Sequence, residues 1–352
     1  MKKYFFAAFF LALIVPVAAS AATKTASSAW KPKTPEDYAA ISWAKAKGVA
    51  TFMKAPSGNG YLDFLTEIYL PYVQVKLVAS TSPRLDWGPG ADPFATDTVR
   101  DWAFAKMEVE QTKQANPNME FLWNVPFFNA TLTTTDLSMA LKSEDASSTY
   151  ITSGSRPPED VDQERRMLIV NNVMGTATIT DFDPGLFMST STGDQAVEGF
   201  APDVTYKGTA EGTARLFLGV KPGGKELVIY CSQGASPQEA SDALNAAGVP
   251  VESQMQADGG TSATCAYNMP GQYFVEPGRT LPHIMGAFSF LYRGKTTTDG
   301  LNVRGGPGTK YPILEKLPKS QPLQIFAEKS GFAKISSERN EWVSLAYIKK
   351  VQ

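Results

Sequence analysis

Histidine and cysteine are nearly missing from this 352-residue chain, which has one of the first, His283, and two of the second, Cys231 and Cys265. A zinc cage needs several such ligands, so none is expected. A site built from oxygen ligands would need neither residue type and stays open. No cofactor is expected. An excess of one charge is also missing: 33 basic and 35 acidic residues leave a formal net charge of -2, with a pI near 5.7. That balance gives no broad electrostatic reason to expect nucleic acid or an anionic membrane as partner, so any anion site must be local. Beyond the first twenty residues no run is apolar enough to span a membrane.

What is present fits folded domains. Hydrophobic residues make up 43% and charged residues 19%, and the length allows two or more cores. Lys2 and Lys3 precede an apolar run over residues 4–17, and Ala19, Ser20 and Ala21 follow with A-x-A spacing. This is the layout of a secretory signal peptide, residues 1–21, cleaved after Ala21. The chain is then expected to be exported, periplasmic or secreted. No cysteine at the cleavage point indicates a lipid anchor, and no transmembrane anchor remains after cleavage. In an oxidising compartment Cys231 and Cys265 can form a disulfide, whose closed loop of roughly 35 residues contributes on the order of 3 to 4 kcal/mol. Two buried free thiols are the alternative.

Residues 22–35 are small, polar and Pro-containing and read as a linker. Pro35 and Glu36 open an expected helix through Lys47, with Thr34 as N-cap and Gly48 as the stop. Residues 61–80 become aromatic and β-branched, and VQVKLVAS alternates as a strand. A loop over SPRLDWGPGADP leads to an expected helix over residues 96–114 with a rough apolar face. Phe121 to Trp123 read as a buried strand that bends at Pro126, leaving Asn124 at its end. Residues 133–164 read as a long surface loop, and residues 189–212 are again polar. RMLIVNN and TATITDFD read as strands. GTARLFLGV and KELVIYCS read as a hairpin closed by Lys221 to Gly224, with Arg215 on its first strand. Ser236, Pro237 and Glu239 have capping-box spacing at the head of PQEASDALNAAG, and Gly248 ends that helix. A strand after it delivers QMQADGGTSAT, in which Asp258 precedes Gly259, Gly260, Thr261 and Ser262. Small residues let a ligand approach the backbone, and successive amides can form an anion cradle. Asp-Gly-Gly is equally an ordinary tight turn. His283 precedes the apolar strand MGAFSFLYRG and reads as an acid or base, or as a surface or hydrogen-bonded imidazole.

From Lys295 the chain shows about five short strands with turn signals at close intervals, which suits a small all-β barrel. Leu301, Asn302, Val303, Arg304, Gly306 and Pro307, the run Tyr311 to Leu314, Glu341 to Val343, and Tyr347 with Ile348 closely resemble a bacterial SH3 domain. The resemblance implies a module for peptidoglycan or protein binding, or a rigid appendage. The region before it, residues 36–294, is similar to the phosphodiester glycosidase family, on four pieces in the family's order. NVPFFN at residues 124–129 resembles an Asn-Gly-Gly-Phe-Phe element, TARLFLGV an Arg-bearing strand, SPQEASDALNAAGV a helix before the site, and ADGGTSAT an Asp-Gly-Gly-Gly-Ser element. Val125-Pro126 stands where the family has Gly-Gly, and Thr261 where it has a third glycine. The expected fold is α+β, a mixed sheet with few helices, followed by the SH3-like barrel.

The family resemblance implies a sugar joined through its anomeric carbon to a phosphodiester. Its cleavage expels a phosphate monoester, a good leaving group because its second pKa lies near 6. The enzyme must stabilise charge at the anomeric carbon and on the departing phosphate. Asp258 is expected in the first role, and Asn124 orients the sugar. Arg215, the amides of Gly259 and Gly260 and the hydroxyls of Thr261 and Ser262 are expected to hold the phosphate. The rival reading is a non-catalytic protein that binds an envelope glycan and is delivered by its SH3 module, which Val125-Pro126 favours.

Overall fold

Segments that read as half-buried strands do pair, and every pair among the described residues is antiparallel. The computed structural model describes residues 30–32, 35–54, 61–79, 104–105, 109–125, 127–128, 134–135, 138–144, 149–152, 164–189, 194–204, 212–269 and 272–351. The largest sheet runs, in spatial order, Tyr38–Ala46, Val49–Lys54, Asp63–Tyr69, Glu226–Ser232, Arg215–Val220, Gln254–Gln256, Asp194–Phe200, Arg165–Asn171 and Thr176–Asp181. Leu141–Glu144 and Thr149–Thr152 attach beside Asp194–Phe200 as a further hairpin. A second sheet runs Cys265–Tyr267, Phe121–Trp123, His283–Ser289 and Val73–Ala79. The mixed sheet expected from the sequence is therefore corrected to antiparallel sheets: the chain returns mostly by hairpins, and its helical crossover, Pro237–Ala246 from Glu226–Ser232 to Gln254–Gln256, passes over the intervening strand Arg215–Val220, which is antiparallel to both.

The two sheets bury a common core. Leu216, Leu218, Ile229 and Met255 from the large sheet pack with Val75, Trp123, Met285 and Ala287 from the second. Alternation makes this possible: Leu216 is registered against Cys231 and Leu218 against Ile229, so one face of that hairpin is apolar throughout. Cys231 on this face is joined to Cys265 of the second sheet by a disulfide, Cα to Cα 6.6 Å, which ties the layers together. Among the described residues, the outer edge of Val73–Ala79 is covered by side chains instead of a strand. Asn172 accepts from the Val75 amide at 2.9 Å and donates to the Val75 carbonyl at 2.8 Å, and Gln195 accepts from the Leu77 amide at 3.0 Å. Such amides occupy an edge that would otherwise template pairing with another chain.

The helix Pro237–Ala246 forms as its residues dictate. The Ser236 hydroxyl accepts from the Glu239 amide while the Glu239 carboxylate accepts from the Ser236 amide, and Pro237 occupies the first turn. Gly248 ends it at φ +89°. Ala240 and Leu244 are buried against the two hairpin strands.

Three expectations are corrected. Residues 38–46 form an edge strand rather than a helix: Tyr38–Ala46 pairs with Val49–Lys54, and Lys47-Gly48 is the two-residue turn between them, Gly48 at φ +78°. Thr34, its expected cap, lies outside the described residues. The helix expected over residues 96–114 is Val109–Ala115, with Phe104–Ala105 in a short strand. Within residues 133–164 the Leu141–Glu144 and Thr149–Thr152 hairpin replaces part of the expected loop. The polar stretch 189–212 contains the strand Asp194–Phe200, whose polar residues are satisfied inside the fold: Glu198 meets Arg165 at 2.7 Å and accepts from the Ala140 amide at 2.7 Å. Burial raises the Glu198 carboxyl above its ordinary range despite these partners. The loop SPRLDWGPGADP and the leader, residues 1–21, lie outside the described residues. No helix among the described residues is long and apolar enough to cross a membrane.

The C-terminal residues form two small antiparallel sheets rather than one closed sheet. Pro322–Ile325, Tyr292–Thr296 and Ile348–Val351 make the first, and Ile313–Leu317, Leu301–Arg304, Trp342–Ser344, Phe332–Lys334 and Ala327–Lys329 the second. Leu301, Val303, Ile325, Ala333 and Val343 bury a separate core. These sheets pack against the larger layers through polar contacts. Arg293 donates to the carbonyls of Asn172, Val173 and Leu70 at 2.6, 2.7 and 3.0 Å, Lys76 pairs with Glu338 at 3.1 Å, and Asn118 donates to the Ser337 carbonyl at 2.8 Å.

Candidate functional site

The site lies where the Gln254–Gln256 strand leaves the large sheet and the chain crosses to Cys265–Tyr267 in the second. Gln256 is registered against Phe217, and the Ala257 amide donates to the Leu216 carbonyl at 3.0 Å. Continued by one residue, that register sets Asp258 beside Arg215. The Asp258 amide then donates to the Val125 carbonyl at 3.0 Å, turning the chain toward the second sheet.

Each glycine after Asp258 has a structural reason. A Cβ on Gly259 would lie 3.0 Å from the Ala214 carbonyl oxygen, a tight contact that a side chain could make only if the backbone there gave by a few tenths of an ångström. Gly260 has φ +65°, where L side chains are strained. The Gly259 amide donates to the Asp258 carboxylate at 2.8 Å and the Gly260 amide to the Ala214 carbonyl at 2.8 Å. Both amides expected to cradle a phosphate are thus engaged within the fold.

Asn124 is brought to Asp258 by the second sheet. Its amide nitrogen donates to the other Asp258 oxygen at 3.4 Å, and its carbonyl oxygen accepts from the Thr264 amide at 2.9 Å. The end of the Phe121–Trp123 strand therefore places an amide between the two segments, and Pro126, where the bend is expected, lies outside the described residues. Arg215 donates through Nε to the Ala235 carbonyl at 3.1 Å, and burial lowers its guanidinium below the usual range.

These three side chains are buried: Asn124 is 0% exposed, Arg215 1% and Asp258 3%. Ser262 is also buried, whereas Thr261 is exposed. The exposed Thr261 hydroxyl accepts from the Arg279 guanidinium, and the Gly278 amide donates to the Thr261 carbonyl at 2.8 Å. Asn124, Asp258 and the turn are thus brought into contact, with Arg215 beside them in the ladder, and solvent meets the site at Thr261 and Arg279.

Sequence reasoning missed Thr264 and Arg279. Thr264 ties the turn down, its hydroxyl donating to the Val275 carbonyl at 2.9 Å. Arg279 follows Pro277-Gly278 with no periodicity or motif to mark it; only its proximity in the fold does. His283 takes none of the roles expected for it. It is fully buried, neither ring nitrogen has a hydrogen-bond partner among the described residues, and burial lowers its pKa to about 3. Among the described residues no group of three or more His, Cys, Asp or Glu side chains could hold a metal ion.

Residues 299–349 match the family model described as bacterial SH3 domain. No curated protein matches the chain. Among solved structures, the chain is similar to the zebrafish N-acetylglucosamine-1-phosphodiester alpha-N-acetylglucosaminidase catalytic domain auto-inhibited by its pro-peptide, with TM-score 0.45 and 14% identity, over 68% of this chain and 83% of that one. It is also similar to a protein from Burkholderia pseudomallei described as exported, with TM-score 0.36 and 11% identity, over 65% of this chain and 74% of that one.

Proposed function

We propose that residues 36–294 are an exported glycoside hydrolase acting on a sugar-1-phosphodiester of the cell envelope or its surroundings, and that residues 295–352 are a bacterial SH3 module that holds the protein to peptidoglycan or to another protein. The observation that carries this reading is the meeting of Asn124 and Asp258, from segments 134 positions apart, in one hydrogen bond. Two separate motif-bearing turns gain nothing from convergence unless they serve one site or one structural knot.

In this reading Asp258 stabilises positive charge developing at the anomeric carbon, and Asn124 orients the sugar. The leaving phosphate is met at the solvent side by the Thr261 hydroxyl and the Arg279 guanidinium, with the Arg215 charge behind them. A phosphate monoester leaves without a strong general acid, so the reading does not require a second carboxylate. Asp258 must exchange a protein partner for substrate. Its bond from Asn124, at 3.4 Å, is longer than the 2.8 Å bond from the Gly259 amide and is the weaker of those two.

One set of observations favours a second reading, a non-catalytic glycan-binding protein. Asp258 is 3% exposed, and the Gly259 and Gly260 amides are engaged internally. Release of free sugar from a sugar-1-phosphodiester by the purified protein, lost in a folded Asp258→Asn variant, supports hydrolysis. Glycan binding that is equal in both proteins, without turnover in either, supports the second reading.

A further inference from the structure

A cleft of about 510 Å³ separates the C-terminal sheets from the larger layers, remote in sequence from the Asp258 turn. That volume falls in the range of small-molecule sites, which favour junctions of this kind. It is lined by Gln74 and Lys76 of the strand Val73–Ala79, by Val173 and Met174 at a hairpin tip, and by Leu323 and Ile335 among the C-terminal residues.

The hairpin tip is the informative feature. Met174 is 70% exposed and Val173 46%, an apolar pair at a turn where polar residues cost nothing. Both line the cleft together with Leu317, Leu323 and Ile335, so a ligand there would cover them. The charge around them is unbalanced. Lys76, Arg293, Lys295 and Arg339 line the cleft against Glu315 and Glu341. Lys76 is matched by Glu338 and Arg339 by Glu341, but the three acceptors of Arg293 are neutral carbonyls.

We propose that this cleft binds an amphipathic anion, an apolar chain or ring carrying one carboxylate, sulfonate or phosphate group. The apolar body lies across Met174, Val173 and Leu323, and the anionic group lies at the Lys295 side. Lys295 is exposed and free to turn toward it.

The test uses the full chain and 1-anilinonaphthalene-8-sulfonate, an apolar ring system with one sulfonate, followed by its fluorescence. Wild type binds it saturably at one site. Met174→Glu and Lys295→Glu each weaken binding tenfold or more, while Ile313→Glu, at an exposed apolar residue outside the cleft, leaves it unchanged. Far-ultraviolet circular dichroism verifies that all three variants fold. Displacement of the dye by dodecanoate below its aggregation concentration identifies a free amphiphile as the natural class. Displacement only by phosphatidylglycerol vesicles identifies a lipid surface. Absence of saturable binding, equal binding by both cleft variants, or displacement by neither competitor overturns the proposal.

Discussion

Reducing the Cys231–Cys265 bond should cost this protein a large share of its stability without changing its fold. The bond closes a loop with a sequence separation of 34, and loop-closure entropy for that length is about 12.6 cal/mol/K, or about 3.8 kcal/mol at 25 °C. Its position adds a second reason: Cys231 belongs to the large sheet and Cys265 to the second, so the bond joins the two layers of the core. A Cys231→Ala/Cys265→Ala variant loses the same constraint plus the packing of two buried sulfurs, a further cost of about 1 kcal/mol or more. Urea unfolding followed by tryptophan fluorescence should show the reduced wild type less stable than the oxidised by about 3 to 4 kcal/mol. The double variant should lie slightly below the reduced protein. Equal midpoints for oxidised and reduced protein, with both thiols shown free after reduction, would refute the reasoning.

Other outcomes follow from buried polar groups and backbone geometry. Glu67 is fully buried and its oxygen lies 2.6 Å from Lys221, so Lys221→Met leaves a buried carboxylate without that cation and costs about 3 kcal/mol in urea unfolding. Ser236→Ala removes one half of a reciprocal cap and costs about 1 kcal/mol by the same assay. Burial depresses the folded-state pKa of His283 from 6.5 to about 3, so its contribution is present above pH 6.5 and is lost as pH falls toward 3, at about 1.4 kcal/mol per unit. Stability measured from pH 7 to 4 should therefore flatten in His283→Phe relative to wild type, and parallel curves would contradict the assignment. His283 is the one histidine in the chain, so its imidazole resonance reports the titration without ambiguity.

Local signals were legible where the chain satisfied itself locally. The capping box at Ser236 and Glu239, the Pro-Gly-Gly turn between Arg215–Val220 and Glu226–Ser232, and the Phe121–Trp123 strand all read directly. Tyr38–Ala46 misled because its four alanines and Lys45 favour a helix in isolation, whereas pairing with Val49–Lys54 decides the outcome. Asp194–Phe200 was hidden because Gln195 and Glu198 are buried polar residues whose partners, Leu77 and Arg165, lie on distant strands. The same logic applies to the site. Asp258 and Asn124 stood out through motifs, but the engagement of the Gly259 and Gly260 amides depends on Ala214 and on the Asp258 carboxylate, and the place of Arg279 beside Thr261 depends on a loop without pattern.

Hydrolysis is tested most directly by incubating purified wild type and Asp258→Asn with a sugar-1-phosphodiester and measuring free reducing sugar alongside phosphate monoester. Wild type should release both in equimolar amounts and the variant should be slower by at least a hundredfold, with urea midpoints showing that the variant is folded. Release at the same rate by both proteins would remove Asp258 from the chemistry, and no release by wild type would contradict the assignment of a hydrolase.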